Sequence, residues 1–227
     1  MLFIQNVSKQ FGYRPILRKV SLQIRDGESV GMAGSNGSGK STLLRIVVRV
    51  VSCDEGSVSW NGDSILNGGA DQRRSLLYIG HEPGFYPPLS AQENLVLLTR
   101  LYGLDVTQAD VEYNLTEVGL DPGRSGPIRQ FSRGMLQRLS LAKALIIPWE
   151  LLLLDEPTTG LDSEGKSTLS KLINSWRAEG RSLLLVSHDE DWLTSNCDRM
   201  VELSGGRLQT IEGNEARSKS NGFAAEA

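Results

Sequence analysis

Cysteine is scarce in this chain. Its 227 residues hold two, Cys53 and Cys197, with neither metal-ligand spacing nor a disulfide framework, the pattern of a reducing compartment. An excess of one charge is also lacking. Lys and Arg total 24 against 27 Asp and Glu, a net charge of −3, so no basic surplus points to nucleic acid. Long apolar runs are missing too: Ile46–Val48 is stopped by Arg49 and Leu151–Leu154 by Asp155, far short of the ~20 residues a bilayer crossing needs. Met-Leu-Phe-Ile-Gln-Asn at the start places no basic stretch before an apolar one and does not read as a secretory signal. A cytoplasmic chain is expected. Its length suits one α/β domain with a modest insertion and is too short for two complete nucleotide-binding domains.

What the chain does have is concentrated in Gly34-Ser-Asn-Gly-Ser-Gly-Lys40-Ser41-Thr42. This stretch lies between strand-like Glu28–Ala33 and the apolar helical run Leu43, Leu44, Ile46, Val47. Glycines at 34, 37 and 39 allow φ > 0 and bring backbone N–H groups against phosphate oxygens, with a helix N-terminus beginning near Lys40. Ser35, Asn36, Gly37, Ser38, Gly39, Lys40, Ser41 and Thr42 are therefore candidate nucleotide contacts. Lys40 can reach the β- and γ-phosphates, and the Ser41 hydroxyl is placed to ligate Mg²⁺. A nucleoside triphosphate with Mg²⁺ is the implied ligand.

In residues 2 to 30 apolar and polar positions alternate, with Leu2, Ile4, Val20, Leu22 and Ile24 expected on one buried face of an antiparallel layer. Turns are read at Tyr13–Pro15 and Arg25–Gly27. Phe11 either stacks on a purine base or packs within the sheet. Gly56–Trp60 reads as a strand ending in an Asn61-Gly62 turn, and Leu76–Ile79 as another leading into Gly80-His81-Glu82-Pro83-Gly84.

From about 84 to 146 the pattern turns helical. Capping boxes at Ser90/Glu93 and Thr107/Asp110 open apolar stripes that stop at Gly103 and Gly119. A third helix follows Phe131-Ser132-Arg133-Gly134-Met135-Leu136-Gln137-Arg138 and runs through Ala144. Leu151–Leu154 is then a fully apolar central strand, and its C-terminal end carries Asp155 and Glu156. Ligands bind at that end of open α/β sheets. Asp155 suits Mg²⁺, and Glu156 suits orienting or deprotonating water; a merely solvated strand end is the alternative.

After the loop Pro157–Asp162, Leu169, Leu172, Ile173 and Trp176 mark one helix face, ending at Gly180. Ser182–Ser187 is a further strand. His188 at its edge either meets the γ-phosphate and nucleophilic water or is structural. Met200–Ile211 reads as a closing hairpin, and the polar segment 212–227 as a disordered tail.

Taken in order and spacing, these motifs resemble those of the ATP-binding-cassette family over residues 1 to about 211. The resemblance implies an α/β P-loop NTPase fold, a RecA-like core with an antiparallel β layer and an inserted helical subdomain. It implies ATP and Mg²⁺ as cofactors, with Phe11 as the adenine-stacking aromatic, Asp155 as the Walker B aspartate, Glu156 as the catalytic glutamate and His188 as the switch histidine. Ser132 and Gly134 match the signature loop that serves ATP held by the opposite subunit, and Asp162 the D-loop aspartate that touches the partner's site. The implied assembly is a head-to-tail dimer, homo- or heteromeric, seated on transmembrane permease subunits at the cytoplasmic side of the inner membrane.

Two segments depart from the family pattern. Arg133 and Met135 stand in the signature where Gly and Gln are usual, and His81 stands where most members have a Mg²⁺-contacting Gln. Imidazole is a poor direct ligand for Mg²⁺. With these departures the chain most resembles the haem-exporter group of cytochrome c maturation, other small exporter cassettes being the alternative. Phe85-Tyr-Pro-Pro88 beside His81 either receives a helix of the membrane subunit or packs on its own domain. A soluble cassette in translation or DNA repair would carry twin cassettes, coiled-coil insertions or basic surfaces, none of which is present. A GTPase would need Asn-Lys-x-Asp, which is absent.

Overall fold

The computed structural model describes residues 1–69, 73–81 and 84–211. Glu82, Pro83 and the segment 212–227, for which composition predicts disorder, lie outside the described residues. Two sheets are present. One is antiparallel and built from β1 (Leu2–Phe11), β2 (Arg14–Ile24), β4 (Glu55–Trp60) and β5 (Asp63–Ser64), in the order β2-β1-β4-β5. The other contains β3 (Ser29–Ala33), β6 (Leu76–Ile79), β7 (Leu151–Asp155), β8 (Ser182–Val186), β9 (Arg199–Ser204) and β10 (Arg207–Thr210), ordered β10-β9-β3-β8-β7-β6. Its strands are parallel except for the β9–β10 hairpin.

The expected alternation in the antiparallel layer holds for Leu2, Ile4, Val20, Leu22 and Ile24, all buried. It also hides two core residues. Asn6 and Lys19 take positive φ, and the register shifts between Ile4 and Val7. A bulge adds one residue, so Val7 turns inward out of phase with Ile4, and Leu17 with Val20. The first turn sits at Gly12-Tyr13, earlier than Tyr13–Pro15, because Arg14 and Pro15 already pair with β1. Asn61-Gly62 makes its expected tight turn, both residues having positive φ.

Strand β7 explains why a run of four leucines was needed. Leu152 and Leu154 enter one core cluster while Leu151 and Leu153 enter the other, so both faces of the strand are covered. Each such leucine contributes about 1.5–3 kcal/mol by burial. The second cluster also holds Leu43, Leu44, Ile46 and Val47 of α1 (Lys40–Val47), which lies between the sheets.

Between β6 and β7 the chain is helical: α2 (Ala91–Leu101), α3 (Gln108–Glu117), a 3-10 turn (Ile128–Gln130) and α4 (Arg133–Ile146). Both expected capping boxes form, Ser90 with Glu93 and Thr107 with Asp110. The helix expected after Arg138 begins earlier, at Arg133, with Ser132 as its cap. Asn94, nearly fully buried, accepts from Tyr86 N–H at 2.7 Å and donates to the Tyr86, Leu89 and Ser90 carbonyls, pinning the aromatic loop onto α2. Helices α5 (Ser163–Ala178) and α6 (Glu190–Asn196) complete the fold.

Candidate nucleotide site

Gly34, Gly37 and Gly39 all adopt positive φ, at 144°, 78° and 111°. A side chain at Gly39 would also press on β2, since a Cβ there would stand 2.8 Å from Leu17 Cδ2. Positive φ favours glycine at all three positions, and at Gly39 space does as well. Lys40 is buried, and its Nζ donates to the Gly34 carbonyl at 2.6 Å and the Ser35 carbonyl at 3.1 Å, which arches the side chain over the loop.

Capping distinguishes α1 from the other helices. Ser90, Thr107, Ser132, Asp162 and Asp189 each accept a backbone N–H at the start of α2 to α6, whereas no side chain caps α1 and no acidic residue occupies its first turn. Its N–H groups and partial positive charge are left to an anion. Ser38 Oγ is buried without a hydrogen-bond partner among the described residues. These features fit a bound triphosphate. Asn36, Gly37, Gly39, Lys40, Ser41 and Thr42 line one cleft of about 350 Å³ together with Phe11, Asp155 and Glu156. Ser41 and Asp155 thus present a hydroxyl and a carboxylate to the same space, and hard oxygen donors suit Mg²⁺.

Phe11 is half exposed on that cleft, and Lys9 Nζ lies 5.4 Å from its ring centroid. A flat apolar face is available to a base.

Asp155 ends β7 and is buried. Glu156 follows in a left-handed conformation, φ 53°, which for a non-glycine residue costs of order 1–3 kcal/mol. Its N–H donates to the Val186 carbonyl at 2.8 Å, fixing this turn to β8. The turn aims the carboxylate at His188, whose Nδ1 lies 2.7 Å from Glu156 Oε2. The Ser187 hydroxyl, buried, donates more weakly to the same oxygen at 3.4 Å. His188 is outside the residues that line the cleft and meets it through Glu156.

The signature residues stand elsewhere. Ser132 and Gly134 do not line the Lys40 cleft. Ser132 is exposed, and its Oγ accepts from Met135 N–H at 3.2 Å. Gly134 packs on the loop before α5: a Cβ there would lie 2.5 Å from the Gly160 carbonyl oxygen. Asp162 caps α5 through Gly165 N–H at 2.8 Å and pairs with Arg138 at 2.9 Å. The Gly165 N–H and then Arg138 hold its carboxyl below the usual range. Arg138, which sequence reasoning missed, also donates to the Val118 carbonyl and so ties α3, α4 and α5 together.

His81 and Arg133, two of the three residues that depart from the family pattern, touch. Arg133 Nη2 stands 3.2 Å from Nδ1 and 3.1 Å from Nε2 of His81. An atom that close to both ring nitrogens lies over the imidazole face. Beside them, Gln137, Asp155, Glu156 and Thr159 line a small crevice between α4 and the core.

A family profile described as ABC transporter matches residues 17–159. The chain belongs to the ABC transporter ATP-binding family. The lantibiotic transport ATP-binding protein SrtF of Streptococcus pyogenes is 40% identical over 191 residues, 83% of this chain and 80% of its own length. The cytochrome c biogenesis ATP-binding export protein CcmA of Pseudomonas aeruginosa is 37% identical over 179 residues, 79% of this chain and 88% of its own. A solved dimer of the ATP-binding cassette MJ0796, described as a post-hydrolysis state with ADP and phosphate, superposes with a TM-score of 0.84 at 25% identity, covering 94% of this chain and all of its own. The chain is therefore an ABC-type ATPase subunit with a P-loop NTPase fold.

Proposed function

We infer that two copies of this subunit close head to tail around ATP and drive separate membrane subunits. One observation carries this reading: Ser132 and Gly134 stand outside the cleft that gathers Lys40, Asp155 and Glu156. A signature that cannot serve its own P-loop is suited to a second chain's, where the Ser132 hydroxyl and the first N–H groups of α4 would meet the γ-phosphate. Asp162, already capping its own helix, would approach the partner through its exposed edge. The MJ0796 dimer supports the arrangement by likeness.

Within each site, Gly34 to Thr42 would bind the phosphates and Phe11 would stack on adenine. Ser41 and Asp155 would hold Mg²⁺, which when bound neutralises phosphate charge. Glu156 would take a proton from the attacking water, with His188 holding its carboxylate in position. ATP belongs to the interface in this reading, so binding favours closure and hydrolysis releases it.

No helix among the described residues is long and apolar enough to cross a membrane. In this reading coupling falls to permease subunits, with the cassette held peripherally at the cytoplasmic face of the inner membrane. Tyr86, half exposed on the loop pinned by Asn94, is the surface offered to them. The cargo proposed is haem for cytochrome c biogenesis, on the His81 position and the likeness to CcmA; the comparable likeness to SrtF favours a different exported cargo.

Pull-down of tagged Glu156→Gln protein from native membranes with Mg-ATP, with a haem absorption spectrum of the eluate, separates these. Polytopic subunits of cytochrome c maturation are expected. An unrelated permease would keep the transporter ATPase and discard haem, and ribosomes or repair proteins would overturn the membrane coupling.

A further inference from the structure

Strands β6 and β7 run parallel with Tyr78 opposite Leu153. Residues across a ladder share a face, and alternate residues along a strand do too. Asp155, two beyond Leu153, therefore stands on the same side as Tyr78 and one step further along. The phenol is long enough to bridge that step: Tyr78 Oη donates to Asp155 Oδ2 at 3.2 Å. The Arg45 guanidinium of α1 lies near the same phenol. The hydroxyl thus donates to a carboxylate with a guanidinium nearby.

Gly80 completes the arrangement. A Cβ on Gly80 would fall onto the Tyr78 hydroxyl and stand 2.6 Å from Cζ and 2.7 Å from Cε1 of the ring. Its φ is not in the left-handed region, so the position calls for glycine because of space alone.

We propose that Tyr78, flanked by Arg45 and given room by Gly80, is a positioning residue for the divalent-cation site: its hydroxyl engages one Asp155 oxygen and fixes how the carboxylate faces Ser41. The proposal rests on the reading of Asp155 and Ser41 as the Mg²⁺ ligands. Outer partners that orient a ligating carboxylate change metal affinity by about 10–100-fold.

The test is Mg²⁺ titration of fluorescent ATP-analogue binding to the full chain, with Mn²⁺ binding followed by electron paramagnetic resonance. Tyr78→Phe should raise the half-saturating Mg²⁺ about tenfold while nucleotide binding without the cation stays as in the unmodified chain. Gly80→Ala should shift Mg²⁺ in the same direction and add nothing once Tyr78 is Phe, because the bond it disturbs is gone. Asp155→Asn separates the two claims. If Asp155→Asn weakens the cation and Tyr78→Phe does not, the positioning role is wrong and the metal site stands. If neither variant moves the titration, the metal assignment falls and the proposal with it.

Discussion

Arg133 lies over the ring of His81, so two of the three residues that break the family pattern meet although 52 positions separate them. The contact joins the start of α4 to the end of β6, across the crevice beside Glu156. If the pair acts as a unit, its substitutions are not additive. His81→Gln and Arg133→Gly should each lower ATPase turnover several-fold, and the double variant should lose less than the product of the two. Strictly multiplicative losses would make the contact incidental.

Lys40→Ala removes the buried ammonium that arches over the phosphate loop. Hydrogen bonds to charged groups contribute about 1.5–3 kcal/mol, roughly 10–100-fold in affinity. ATP binding followed by fluorescence should weaken by at least that range with the melting temperature little changed. Unaltered affinity would remove Lys40 from the site.

His188 touches the cleft only through Glu156. His188→Ala should therefore slow hydrolysis with nucleotide affinity preserved, and Glu156→Gln should slow it by about 10²–10⁴. Single-turnover kinetics distinguishes this from weakened binding. A His188→Ala variant that hydrolyses normally while Glu156→Gln does not would show that the imidazole is unneeded for placing the carboxylate.

Cys197 is buried beneath Gly31, and burial pushes its thiol up to about 12 from an ordinary 9.0. Between those values the unfolded chain has lost a proton that the folded chain keeps. Stability from this group is therefore complete below pH 9.0 and declines as pH rises toward about 12, at up to about 1.4 kcal/mol per pH unit. Denaturant unfolding should show this alkaline loss, and Cys197→Ala should flatten it. Thiol-reactive dye at neutral pH should spare Cys197 until the chain unfolds.

Features set by local chemistry were legible in the sequence. The positive φ at Gly34, Gly37 and Gly39, the capping boxes at Ser90 and Thr107, and the apolar strand before Asp155 each follow from a few adjacent residues. What was hidden depends on register or distant packing. Val7 and Leu17 were missed because bulges at Asn6 and Lys19 break the two-residue period. Tyr78 could be matched to Asp155 only once the β6–β7 alignment was fixed. Arg138 and Asn94 act through backbone groups of other elements, which leave no trace in spacing. The left-handed Glu156 had no glycine to announce it.

Light scattering of Glu156→Gln protein with and without Mg-ATP tests most directly whether the site is completed by a second chain. The protein should be monomeric alone and dimeric with ATP. Adding Ser132→Arg should abolish the dimer while each chain still binds nucleotide. A dimer that forms without ATP, or that tolerates Ser132→Arg, would contradict the head-to-tail site, as would a Glu156→Gln chain that binds ATP and remains a monomer.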